Sequence, residues 1–204
     1  MSYTLILILV TVLISMTAFN NESVYNRMIL WPKRMDRPSE YYRLFSSGFI
    51  HADYMHLIFN MFTLFFFGRY VEELFVFNGM SRELFLALYF AGIVAASLPS
   101  FLKHRNDYYY RSLGASGGVA AVLFSFIYFA PWQIISIWFI PIPGIIAGVG
   151  YLAYSAYMAK KGGDYVNHDA HFAGAIFGFL FTLAFDPAHG RNFLDALLHP
   201  GFLK

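Results

Sequence analysis

Residues 113–126, LGASGGVAAVLFSF, set a serine among glycines and alanines at the head of an apolar run, and Ser116 there matches the G-x-S-x-G pattern of a nucleophile elbow. A hydroxyl becomes a nucleophile only beside a base, and an imidazole titrating near neutrality suits that task. HDAHFAGAIFG offers His171 as that base. HADYMHLIFN offers His56 and Asn60, four residues apart and therefore on one face of a helix. With the backbone N–H of Ser116 they form the kind of donor set that a developing oxyanion needs in acyl transfer. Gly114, Gly117 and Gly118 let neighbouring backbone approach Ser116 closely. Gly174 and Gly178 form G-x-x-x-G, a small-residue face that packs helices tightly and would bring His171 to Ser116. Asp169 precedes His171 by two residues, about 200° around a helix, so a Ser–His dyad is expected with no carboxylate third member.

The elements that must hold these groups are membrane helices. Hydrophobic residues make up 58% of the 204 and charged residues 13%, against about 25% charged in soluble domains; mean hydropathy is +0.53. From Ser112 to Ala159 there is no Asp, Glu, Lys or Arg, an interval with room for two spans of ~20 residues. Six spans are expected, at about 3–19, 54–77, 84–101, 114–130, 142–159 and 168–185, in one domain with a tail over 186–204. The first reads as a retained helix because it lacks a basic leader and a small-residue cleavage site. Asn20–Asp53 reads as a partly folded surface loop. PWQIISIWFIPIPG reads as an interfacial connection, its prolines at 131, 141 and 143 being too many for a helix interior. A short surface helix is expected around Asn192–Leu198. Spans alternate in direction, so the starts of the second, fourth and sixth lie on one membrane side. Ser116, His171, His56 and Asn60 therefore share one side and one depth, where polar groups are costly and ask for a reason. With no cysteine in the chain, disulfides and thiolate metal sites are excluded. A net charge of +2 without a basic stripe argues against nucleic acid.

HADYMHLIFN, GASGG and AHFAGAIFG, in that order and on those spans, resemble the motifs of the rhomboid intramembrane serine proteases. That family carries H-x-x-x-x-H-x-x-x-N in its second helix, G-x-S-G opening the fourth and A-H-x-x-G-x-x-x-G in the sixth. The resemblance implies an all-α membrane protein, a six-transmembrane-helix bundle, and a serine endopeptidase that cleaves transmembrane helices of membrane-protein substrates. Those substrates and the lipid bilayer are the implied partners; no cofactor and no metal are implied, and the oligomeric state is not encoded. It further implies Ser116 as nucleophile, His171 as base, and His56 and Asn60 as oxyanion stabilisers. His51 would organise the first loop beside the site, and Arg43, in YYR, would be a structural arginine. Glu72 matches a glutamate near the far end of the second helix. Many rhomboids place an aromatic ring four residues after the serine, stacked on the histidine. Here that position is Ala120, so either support is expected from Phe172 or a ring of the second span, or the base is more loosely held, with Tyr151, Tyr154 and Tyr157 read as packing or interface residues.

Bacterial-type topology implies a cell (inner) membrane with the active site open to the extracytoplasmic side. Ten of the fourteen basic residues then fall on the outer side (Arg27, Lys33, Arg34, Arg37, Arg43, Lys103, Arg105, Arg111, Lys160 and Lys161), the reverse of the positive-inside rule. Asp36, Glu40, Asp107 and Asp164 lie near them in sequence. A lateral gate between spans two and five, capped by the loop around Lys160–Asn167, is expected from the prolines before span five and Gly162–Gly163 after it. Rival readings remain. A rhomboid relative without protease activity would bind transmembrane clients, although such relatives usually lose the serine or histidine. A di-iron enzyme would use His51, His56, His168 and His171, but seven histidines are too few for an eight-histidine site. A soluble hydrolase is excluded by the spans, and a zinc protease by the missing H-E-x-x-H. Each polar residue taken singly has a bland reading: Ser97, Ser125 and Ser155 are expected to bond their own helices, and His104, His189 and His199 to be solvated.

Overall fold

The apolar runs become helices. In the computed structural model, which describes residues 2–137, 140–163 and 166–200, α1 (Tyr3–Asn20), α6 (Glu83–Lys103) and α9 (His168–Phe185) are long and apolar enough to cross a membrane. α7 (Ser116–Phe129) is apolar but shorter. Residues 54–77 form α4 (Tyr54–Thr63), a π-helical turn over Leu64–Gly68, and α5 (Arg69–Phe77). The turn falls where α1 crosses closely, since a Cβ on Gly68 would sit 2.9 Å from the Thr4 side chain. α8 (Gly144–Lys161) occupies the fifth position.

The chain is a multi-pass helical membrane bundle centred on α7. Eleven of its fourteen residues are buried, packed chiefly against α9 and α6. Small residues make that packing possible. A Cβ on Gly174 would run into the Gly117 carbonyl, and one on Gly178 into the Ala121 carbonyl. On the other flank, a Cβ on Gly92 would come within 2.7 Å of Ala121 Cβ. Dispersion and close backbone contact hold helices together where lipid removes the hydrophobic drive between them. Ser97 bonds its own helix at Ile93 O as expected. Ser125 does not: its hydroxyl pairs with Thr182 of α9 at 2.7 Å. Ser155 Oγ has no hydrogen-bond partner among the described residues.

The first loop is more ordered than its composition suggests. It contains α2 (Glu22–Met28), single turns at Pro32–Arg34 and Pro38–Glu40, and α3 (Arg43–Ser46). Arg43, 4% exposed, pairs with Glu40 at 2.6 Å and donates to the carbonyls of Asn26 and Ile29. At the opposite end of the bundle Glu72 accepts from Ser2 Oγ, Tyr3 N, Thr4 N and Thr4 Oγ1, and faces Arg82 Nε at 2.6 Å. A carboxylate there satisfies the free amides at the start of α1 and complements its dipole.

Two connections carry more regular structure than their composition announces. Within PWQIISIWFIPIPG, β1 (Ile134–Ile137) and β2 (Ile140–Pro143) form an antiparallel hairpin, pairing Ile134 with Pro143 and Ser136 with Pro141. β-branched isoleucines favour strands, and prolines are tolerated at sheet edges; Trp138 and Phe139 lie outside the described residues. The tail helix, α10 (His189–Leu198), starts three residues earlier than Asn192 and is tied to the hairpin side by Trp132 Nε1 donating to Ala196 O. Asp164, and with it part of the loop around Lys160–Asn167, also lies outside the described residues.

Candidate active site

Ser116 is the first residue of α7, and His171 sits in the first turn of α9. The close contact of Gly174 with Gly117 sets the two helix starts side by side, and His171 Nε2 lies 2.8 Å from Ser116 Oγ. That is hydrogen-bond distance for a hydroxyl donating to an unprotonated ring nitrogen. Asp169 turns away, as the helical angle requires, and pairs with Lys103 at 2.7 Å. α7 has no side-chain cap, so the N–H groups of its first turn, which have no partner inside the helix, receive none from a capping side chain.

The position of His171 depends on a residue not singled out in the sequence. Asn167 caps α9: its Oδ1 accepts from Ala170 N at 3.1 Å. Its Nδ2 donates to Ser100 Oγ and Ser112 Oγ, each at 2.8 Å. One amide thus ties the His171 helix to α6 and to the segment leading into Ser116. The signal was available, because an Asn directly before an apolar helical run is a preferred N-cap. A cavity of about 20 Å³ lies against these groups, lined by Ser47, Ser97, Ser112, Ser116 and Asn167 among others, a volume that suits about one water.

Among the described residues, the ring stacked on His171 comes from α8. Phe172 is exposed, and the ring stacked on His171 is Tyr151 of α8, with centroids 6.0 Å apart and planes 20° apart. Sequence reading missed it because Tyr151 lies on a different helix, at no fixed spacing from Ser116 or His171.

His51, fully buried, has both ring nitrogens engaged. Nε2 accepts from Ala115 N at 3.3 Å, so Nδ1 carries the proton and donates to Ser15 Oγ at 2.9 Å. Ser15 Oγ in turn donates to Phe49 O at 2.9 Å. The imidazole joins α1, the end of the first loop and the residue before Ser116. Both nitrogens being used inside the fold, it is unsuited to the iron site of the di-iron reading. His56 is set by Asp53, whose carboxylate caps α4 through His56 N at 2.7 Å. Its ring lies against Gly114, where a Cβ would be 2.6 Å from it; Gly114 also has φ +117°, which other residues rarely adopt. Asn60 is buried on the same face, its Nδ2 donating to His56 O at 2.9 Å and leaving a second amide proton.

Burial pushes the His51 imidazole down to about 3, His56 beside it acting the same way and Asp53 opposing. An unfolded histidine titrates near 6.5. Between these values the unfolded chain binds a proton that the folded one does not, so the contribution of His51 is complete above pH 6.5 and is lost as pH falls toward 3. The slope approaches about 1.4 kcal/mol per pH unit. His51→Gln should melt well below wild type at pH 7, and the gap should narrow steadily in thermal melts from pH 6.5 to 4.5. A gap independent of pH would mean that the imidazole is not held neutral.

The motif spacing and the geometry agree with what comparison with known proteins shows. The family model described as Rhomboid domain matches residues 38–187. RHOMBOID-like protein 12, mitochondrial, of Arabidopsis thaliana is 25% identical over 77% of this chain and 50% of its own length. Presenilin-associated rhomboid-like protein A, mitochondrial, of Danio rerio is 32% identical over 65% of this chain and 34% of its own. Rhomboid protein 1, mitochondrial, of Saccharomyces cerevisiae is 32% identical over 68% and 40%. The chain therefore spans half or less of the length of these curated relatives. With a domain match over most of its residues and the serine and histidine motifs joined in space, the chain belongs to the rhomboid family.

Proposed function

We propose that the protein is an intramembrane serine endopeptidase working through a Ser116–His171 dyad. The observation that carries this reading is the 2.8 Å contact between His171 Nε2 and Ser116 Oγ at the head of two glycine-packed helices. In the proposed reaction Ser116 Oγ attacks the scissile carbonyl carbon while His171 Nε2 takes the hydroxyl proton. His171 then returns that proton to the leaving amine as the C–N bond breaks. Water, deprotonated by the same imidazole, releases the acyl group and restores Ser116. The small cavity beside Ser116 is suited to that water. The reacting carbonyl oxygen is placed against His56, Asn60 and the uncapped amides of α7, where fixed donors stabilise developing charge.

The substrate class proposed is the transmembrane helix of another membrane protein, entering from the bilayer and unwinding locally at the site. Residues that weaken helices near the scissile bond favour that step. Bacterial-type topology would place the protein in a cell inner membrane with the site open outward. The relatives named above are mitochondrial by name, so an inner mitochondrial membrane is the other location to test by fractionation. Incubating purified protein with a generic transmembrane substrate beside Ser116→Ala tests the activity; a folded wild type that binds the substrate without cutting it would establish the client-binding reading instead.

The oxyanion role predicts a graded loss. Removing one preorganised donor typically costs ~100–1000-fold in turnover. His56→Ala and Asn60→Ala should therefore lower kcat severely with KM little changed, Asn60→Ala more mildly because the amides and His56 remain. Wild-type turnover in both variants would reduce these residues to helix contacts.

A further inference from the structure

Trp31 is buried between two cations. The Arg34 guanidinium carbon lies 3.7 Å from the indole ring centre and that of Arg111 3.4 Å. At such distances the two groups must occupy opposite faces, roughly 7 Å apart. Trp31 itself is fixed: it is 6% exposed, and its Nε1 donates to Tyr108 O. Both arginines are exposed, and among the described residues neither has a carboxylate within ion-pair distance. A guanidinium stacked by its face keeps its N–H edge for an anion; Arg111 spends part of that edge on the carbonyls of Tyr108 and Tyr109.

The surroundings repeat the imbalance. Arg34 shares a concavity with Arg37, Arg43, Asp36 and Glu40; Glu40 is committed to Arg43, which leaves Asp36 against Arg34 and Arg37. Arg105 is also without a carboxylate partner among the described residues, while Asp107 faces His104. Tyr41, Tyr42, Tyr108 and Tyr109 are exposed beside these cations, the residue type that marks the level of lipid headgroups. The excess of basic residues on the active-site side, anomalous for topology, is thereby concentrated around one built feature.

We propose that Arg34 and Arg111, held on the two faces of Trp31, bind the phosphate of an anionic phospholipid in the leaflet on the active-site side. Zwitterionic lipids bring an ammonium group that these unpaired cations repel; a net negative headgroup does not. The site adjoins the catalytic framework. Leu30, next to Trp31, and Ser112, next to Arg111, exchange both backbone hydrogen bonds, and Ser112 Oγ accepts from Asn167. A headgroup that holds Arg34 and Arg111 together therefore steadies the segment leading into Ser116.

The test is lipid retention by the purified full chain, read by native mass spectrometry from detergent micelles containing phosphatidylglycerol and phosphatidylcholine with identical acyl chains. Wild type should retain phosphatidylglycerol at least ten-fold better. Arg34→Gln/Arg111→Gln should lose most of that preference and each single variant part of it, while Arg105→Gln, outside the sandwich, keeps it. Equal retention of the two lipids by wild type, or an unchanged preference in the variants, would overturn the proposal; if the double variant does not fold, unchanged preference in both single variants does so. Equal protection from thermal unfolding by inorganic phosphate would overturn a lipid as the ligand. Saturable binding of an acidic peptide, without lipid preference, would assign the face to substrate. Retention needs no catalysis, so a protein without protease activity would still report on the site.

Discussion

Ser116→Ala and His171→Ala should each reduce cleavage of a transmembrane substrate to background, a loss of about 10⁴-fold or more, while the proteins remain folded and membrane-inserted. In serine hydrolases the nucleophile and base act as a unit, so losing either costs nearly as much as losing both. Two nearby groups are already committed elsewhere: Asp169 is bound to Lys103, and His51 has both nitrogens occupied. Folding should survive Ser116→Ala because the removed hydroxyl bonds the His171 ring, while the glycine contacts between α7 and α9 are untouched. A fluorophosphonate probe should label wild type at Ser116, and labelling should vanish in both variants. EDTA should leave cleavage intact, since no step needs a metal. Robust cleavage by Ser116→Ala would end the serine mechanism, and loss on chelation restored by zinc or iron would point to a metalloenzyme.

What the sequence made legible was what periodicity and spacing encode. Gly174 and Gly178, one helical turn apart, announced a close helix contact, and a Cβ on either would strike the α7 backbone. The i, i+4 relation of His56 and Asn60 survives as a hydrogen bond between Asn60 Nδ2 and the His56 carbonyl. The opacity begins where a partner comes from an element with no fixed sequence offset. Tyr151 replaces the missing ring at Ala120 because α8 happens to pass His171, and nothing local distinguishes it from Tyr154 or Tyr157. Ser15 reads as a small polar residue in an apolar helix, yet it completes the hydrogen-bond chain through His51. The isoleucine- and proline-rich connection after α7 folds into a hairpin because antiparallel pairing within the segment itself satisfies its backbone; its prolines signalled only that a helix was disfavoured.

Joining α8 to α4 with a covalent tether should stop cleavage of transmembrane substrates. The bundle differs sharply in how firmly its helices are held: three of the eighteen residues of α8 are buried, against eleven of fourteen in α7. α8 packs on α9 and more lightly on α7 and the hairpin, and two glycines at positive φ, Gly162 at +62° and Gly163 at +102°, follow its end. Sparse burial and a glycine hinge mark elements that open at low cost. Phe59, Phe62 and Phe66 are exposed along α4 and the π-helical turn, wide apolar side chains able to close a seam against α8. Movement of α8 also carries Tyr151 away from His171, so an open gate would have a less supported base until it closes again over the bound helix. The chain has no cysteine, which makes Phe59→Cys/Tyr154→Cys a clean pair for a reducible bifunctional thiol reagent. Crosslinking should abolish cleavage of a transmembrane substrate, and reduction should restore it. Fluorophosphonate labelling, which approaches Ser116 from water, should fall by no more than about two-fold, separating a blocked route from a damaged dyad. Full-rate cleavage by the tethered enzyme would mean that substrates reach Ser116 by another side of the bundle.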